Sequence, residues 1–132
     1  MLLSPTRTYF PVIKKIFENK IPLHGIIHCT GGGQTKVMKF ANNVRIIKDN
    51  LFPLPPVFRL IRKESSAALK EMFEVYNMGH RMEIYCDPAV APALMGIASS
   101  FNMDARIIGR VESAEGKELI IHNAGEQLRY CF

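Results

Sequence analysis

The residues whose types and spacing can do chemistry fall in one run, His28-Cys29-Thr30-Gly31-Gly32-Gly33-Gln34-Thr35-Lys36. Three consecutive glycines leave the backbone free to take positive φ and let a ligand approach without meeting a Cβ. The amides of such a bend, followed by a helix N-terminus, form a concavity that attracts anions, and phosphate is the usual guest. Lys36 falls in the first turn of the expected helix, where the helix dipole disfavours a cation by about 0.3–1 kcal/mol. A bound anion offsets that. His28, beside the bend, can donate to a phosphate or act as acid or base near pH 7. The spacing is neither the phosphate loop that ends in Gly-Lys-Ser/Thr nor the dinucleotide fingerprint. The same residues also fit a tight strand-to-helix turn without a ligand, a solvated Lys36, and a His28 held by a backbone carbonyl.

Little else in the chain has the spacing for chemistry. The four histidines show no i,i+4 pairing on a helix, His24 and His28 falling on an expected strand, and no acidic company along the sequence, which argues against a metal site. The carboxylates are dispersed, with no aspartate cluster to hold Mg²⁺ beside a triphosphate. Ser65 and Ser66 read as helix caps. His24 reads as structural, and His80, after the Asn77–Gly79 turn, can line the same cleft as His28. Cys29, Cys86 and Cys131 are an odd set without metal-type spacing. Cys29 and Cys86 sit in apolar strand patterns and read as small buried hydrophobes, which points to a reducing compartment, the cytoplasm. The net charge of +5 over 132 residues suits an anionic small molecule or an acidic partner surface. The basic residues are not interleaved with aromatics, so the pattern is not that of a nucleic-acid binder. Arg59, Arg62 and Lys63 read as the solvated face of one helix. No apolar run reaches the roughly 18 residues of a membrane span.

The elements that must position the bend are those of one α+β domain over 1–132, a mixed β-sheet with helices packed on it. Pro11 suits the start of a helix that buries Val12, Ile13, Ile16 and Phe17. A strand over 24–29 leads into the bend. The helix after it has Val37, Met38, Phe40 and Ala41 as its apolar face, and a strand follows over 44–48. Three prolines over 53–56 stiffen the next stretch, and Pro56 starts a helix carrying Val57, Phe58, Leu60 and Ile61. Ser65 or Ser66 caps a further helix with Leu69, Met72, Phe73 and Tyr76 as its stripe, and Gly79 supplies a left-handed residue after it. Met82, Ile84 and Cys86 alternate as a strand. Asp87-Pro88 starts a helix that buries Val90, Leu94, Ile97, Ala98 and Phe101. The pattern then predicts a strand over 105–111, a turn over 112–116, pairing back of 118–122, and a last strand near 127–131: a meander.

Five segments resemble, in order and spacing, the aminoimidazole ribonucleotide synthetase family (phosphoribosylformylglycinamidine cyclo-ligase) of purine biosynthesis. Leu3-Ser4-Pro5-Thr6-Arg7-Thr8-Tyr9 is similar to its "LxPTRIY", and His24 to Gly33 to its "VHGxAHITGGG". Pro55-Pro56-Val57-Phe58 is similar to "PPIF", Glu71 to Gly79 to "EMYRTFNCG", and Arg106 to Val111 to "AWxIGxV". The likeness spans roughly residues 2–111 and only the C-terminal domain of that enzyme. The resemblance implies the C-terminal half of a two-domain enzyme that uses ATP and Mg²⁺ to close formylglycinamidine ribonucleotide to aminoimidazole ribonucleotide, releasing ADP and phosphate. ATP and Mg²⁺ are then held mainly by an N-terminal ATP-binding domain outside these residues, so the fragment alone is expected to be inactive. The full-length enzyme is expected to be a cytoplasmic homodimer that takes a small-molecule nucleotide substrate and binds neither nucleic acid nor membrane. By position, Thr30, Gly31, Gly32 and Gly33 would hold a phosphate, His28 would face the reacting centre, Thr6 and Arg7 would lie near the cleft, and Asn77 would shape its rim. Two departures fall at the cleft. Thr35-Lys36-Val37-Met38 stands where the family usually has Glu-Asn and then Pro-Arg, and His80-Arg81-Met82 where it has Val-Gly-Met. They motivate the alternative of a stand-alone anion-binding or assembly domain without catalysis.

Overall fold

A computed structural model of the chain describes residues 7–132. Its elements run α1 (Phe10–Glu18), β1 (Gly25–His28), a 3₁₀ helix (Gly33–Lys39), β2 (Val44–Lys48), α2 (Pro56–Ser65), α3 (Leu69–Val75), β3 (Met82–Tyr85), a 3₁₀ turn (Pro88–Val90), α4 (Ala91–Ser100), β4 (Gly109–Ser113), β5 (Lys117–Asn123) and β6 (Glu126–Cys131). The described residues divide into two compact units, one of 7–25 and 85–105 and the other of 26–84 and 106–132.

In the first unit α1 packs on α4. Pro11 lies in the first turn of α1, where its missing N–H costs nothing. Val12 and Ile16 are buried from α1, and Leu94 and Ala98 from α4. Phe17, expected on the buried face, is exposed. Asp87 makes no capping bond to the turn that follows it. Its carboxylate meets His24 Nε2 at 3.0 Å instead. His24 therefore has acidic company that its sequence neighbours do not supply.

The second unit is built on a mixed four-stranded sheet in the order β4-β2-β5-β6. β2 runs antiparallel to β4 and parallel to β5, and β5 is antiparallel to β6. β4 is shorter than expected, since 105–108 lie outside it, and it does not form a hairpin with β5. Instead β2 lies between them, with Ile46 opposite both Val111 and Leu119. The connection over 114–116 crosses the start of β2 and is tied to it, Ala114 N–H donating to Asn43 O and Val44 N–H to Gly116 O. Two strand spacings are about 9.5 Å, within reach of so short an extended link. Gly109 faces Ile47 so closely that a Cβ there would sit 1.9 Å from the Ile47 carbonyl oxygen. β1 and β3 form a separate two-stranded sheet.

The core of this unit joins Val37 and Met38 of the 3₁₀ helix, Ile46 and Ile47 of β2, Leu69, Met72 and Phe73 of α3, and Leu119 and Ile121 of β5. Phe40 is exposed, because the 3₁₀ helix ends at Lys39 and leaves it outside the packed turn. α2 has no fully buried residue, and Leu60 points to solvent. Tyr76 stacks on Phe58, ring centroids 5.9 Å apart. Neither serine caps α3, whose first flanking residue is Ala68. Ser66 closes α2 in the left-handed region, and Ser65 Oγ accepts from Ala67 N–H. In β3 the buried residue is Glu83, while Met82 and Ile84 are half-buried. Cys29 is buried, Cys86 half-buried and Cys131 exposed, all as free thiols.

Candidate functional site

β1 ends at His28 and the chain bends through Thr30–Gly32 into the 3₁₀ helix. The three glycines have different duties. Gly31 is exposed, and a Cβ there would meet nothing within 4 Å. Gly32 has room for a Cβ but sits at φ +94°. Gly33 is enclosed: its φ is +48° and a Cβ would fall 2.4 Å from Tyr76 O and 2.6 Å from Phe73 O. Gly33 N–H donates to Thr30 O and Thr35 N–H to Gly32 O. Among the described residues the Gly31 and Gly32 amides donate to no protein acceptor. The expected α-helical N-terminus is replaced by a seven-residue 3₁₀ segment, so the bend carries individual amides and not an aligned helix end.

Lys36 supplies the charge. Its side chain folds back over the bend, Nζ donating to His28 O at 2.9 Å and to Thr30 Oγ1 at 2.6 Å. Both acceptors are neutral, so neither offsets the charge of the ammonium. Thr30 Oγ1, the Gly31 and Gly32 amides and Lys36 Nζ thus lie together, with the exposed His28 beside them.

Beneath the bend is a group that sequence reasoning missed. Lys48, at the end of β2, is 1% exposed. Its Nζ donates to Gln34 O and Gln34 Oε1 at 2.9 Å each and pairs with Glu83 Oε1 at 2.5 Å. Gln34 Nε2 in turn donates to Asn77 O at 2.7 Å. The ion pair therefore fixes the first residue after Gly33 to β2, to β3 and to the 77–80 turn. A buried ammonium is tolerated only when its charge and donors are all met, as here. The available signal was phase: Val44, Ile46 and Lys48 share one face of β2.

His80 closes the underside. It is buried; Nε2 accepts from Phe52 N–H at 3.0 Å and its ring lies 5.3 Å from that of Phe52. Burial, the largest cause, pulls the imidazole down to about 4; Lys48 and Arg106 push the same way, and Glu83 and the Met78 backbone oppose them. The neutral ring carries its proton on Nδ1 toward the Met78 backbone, without completing a hydrogen bond to any acceptor among the described residues. His80 is thus packed behind the bend and does not line its mouth. The Cys29 thiol is likewise pushed up to about 12, first by burial and next by Glu83, which leaves it inert.

Of the other expected site residues, Asn77 uses its side chain within its own turn, Oδ1 accepting from Gly79 N–H at 2.9 Å. It touches the bend only through Gln34. Arg7 belongs to the first unit, where its guanidinium donates to Phe101 O and Asn102 O at the end of α4. Thr6 lies outside the described residues.

A mixed sheet with helices on it and a glycine bend closed by a lysine defines the chain as an α+β domain. The family described as AIR synthase related protein, C-terminal domain, matches residues 2–122, and the chain belongs to that family. The phosphoribosylformylglycinamidine cyclo-ligase of Methanopyrus kandleri is 30% identical over 97% of this chain and 36% of its own length. The proteins of the same name from Methanocaldococcus jannaschii and Caldicellulosiruptor saccharolyticus are each 35% identical, over 83% and 87% of this chain and 32% and 34% of their own lengths. The chain thus spans about a third of the length of these curated relatives. Among solved structures, E. coli HypE, a hydrogenase maturation protein, superposes with a TM-score of 0.65 at 19% identity, over 96% of this chain and 39% of that one, a likeness of fold. Among the described residues no helix is long and apolar enough to cross a membrane.

Proposed function

We propose that the chain is the C-terminal part of a purine-pathway ligase that closes formylglycinamidine ribonucleotide to aminoimidazole ribonucleotide at the expense of ATP. Its bend over Thr30–Gly33 grips a phosphate of substrate or nucleotide. The carrying observation is Lys36 Nζ resting on two neutral oxygens beside two amides without acceptors. A phosphate oxygen is a better partner than either, because charge-assisted hydrogen bonds are roughly twice as strong as neutral ones. His28, next to the bend, is placed to hold or move a proton at the reacting centre. Among the described residues no three His, Cys, Asp or Glu side chains converge. In this reading ATP and Mg²⁺ belong to an N-terminal domain, and the full-length enzyme works in the cytoplasm as a homodimer.

Titration with inorganic phosphate, followed by backbone amide resonances, is expected to shift Gly31 and Gly32 saturably in the wild type and not in Lys36→Gln. Unmoved Gly31 and Gly32 signals remove the phosphate assignment. In a full-length parent gene, His28→Ala is expected to abolish growth without purines, and normal growth removes the role given to His28. The second reading, an anion-binding or assembly domain without catalysis, rests on Thr35–Met38 and His80–Met82, which depart from the family pattern around the bend. It predicts phosphate shifts at Gly31 and Gly32 together with normal growth of the His28→Ala strain.

A further inference from the structure

A shallow, open depression of about 390 Å³ lies beside α2, lined by Leu54, Arg59, Arg62, Lys63, Ser66 and Ala67. Three of the six side chains are cations and none is a carboxylate. The spacing of 59, 62 and 63 puts all three on one face of α2, where like charges repel. Among the described residues none of the three makes an ion pair or a side-chain hydrogen bond. Elsewhere in the same unit, Arg45, Arg106, Arg110 and Arg129 each meet a carboxylate or carbonyl oxygen. Arg62 and Lys63 lie in the last turn of α2, where the negative end of the helix favours cations. Arg59, nearer the start of the helix, gains nothing from that effect. An anion in the depression answers all three charges at once.

The remaining wall narrows the ligand. Leu54 and Ala67 offer apolar contact and Ser66 a hydroxyl, and the volume falls in the ordinary range of small-ligand pockets, about 300–1,000 Å³. Guanidinium forks match phosphate oxygens in pairs, while a lysine acts as a point charge. We propose that this depression binds a small phosphorylated molecule, with Arg59 and Arg62 forking onto its phosphate, Lys63 beside them, and Leu54 and Ala67 against its carbon skeleton. The depression shares no residue with the bend at 28–36, so it is a second anion site.

Glycerol 3-phosphate titrated into the 132-residue protein at 50 and 150 mM NaCl, followed by amide resonances, tests this. Saturable shifts are expected at Leu54 and across 59–67 at both salt concentrations. The double variant Arg59→Gln/Arg62→Gln, both side chains exposed, is expected to keep the fold by circular dichroism and weaken binding at least tenfold. Lys63→Gln is expected to weaken it less, and Lys36→Gln to leave it unchanged. Shifts confined to 28–36, shifts that survive in the double variant, or the absence of saturation at 59–67 would each overturn the proposal.

Discussion

Two lysines hold the same nine-residue stretch from opposite sides, and they differ in what they can give up. Lys36 lies over the outer face and spends its donors on a neutral carbonyl and a hydroxyl. Lys48 lies beneath, is 1% exposed, and spends its donors on Gln34 and on the carboxylate of Glu83. Water or a ligand can replace the partners of the first at little cost. Nothing can replace those of the second, because a buried charge left alone is expensive. The outer half of the bend is therefore exchangeable and the inner half fixed, which is the division a binding loop needs.

The largest test of that contrast is Lys48→Met. Removing one partner of the buried pair is expected to cost roughly 3–5 kcal/mol in urea denaturation. Adding Glu83→Leu should return most of it, since the orphaned carboxylate causes the loss; failure of the second change to rescue would place the cost in the bonds to Gln34. The glycines sharpen the comparison next. Gly33→Ala is expected to cost roughly 2–4 kcal/mol, from positive-φ strain and a forced shift of the Phe73 and Tyr76 carbonyls. Gly31→Ala, which meets nothing, should stay within about 0.5 kcal/mol.

The pH dependence follows from His80. Its folded value of about 4 lies below the ordinary 6.5, so the unfolded chain binds the extra proton more readily. Stability from this group is fully present above pH 6.5 and falls as pH drops from 6.5 toward 4, by up to roughly 3 kcal/mol. His80→Gln should flatten that slope in melts taken from pH 7 to 4, and an unchanged slope would assign it to other groups. The smallest effect belongs to Lys36→Gln, expected to change stability by less than about 0.5 kcal/mol while abolishing phosphate shifts. A large loss of stability there would erase the distinction between the two lysines.

Much of this was legible from residues alone. Val44–Lys48, the start of α2 at Pro56, the stripe of Leu69, Met72 and Phe73, and the position of the bend all follow from local periodicity and turn residues. The buried pair was not, because Lys48 and Glu83 are remote in sequence and each, alone, counts as a polar strand residue. The 114–116 link suits a hairpin by its turn chemistry, and only the sheet shows β2 between its arms. The place of His80 after a turn suggests a cleft residue. Its burial depends on Phe52, which the chain brings back from a distant loop.

That interposed strand also sets an order of assembly. Val44–Lys48 finds both its neighbours in strands that come about 60 residues later or more. Closing such long loops precedes any reward from pairing, which slows folding. During synthesis β2 therefore waits for both its strand partners until β4 and β5 have left the ribosome. The half-made sheet is the stage at which this chain is most open to chaperones and to aggregation.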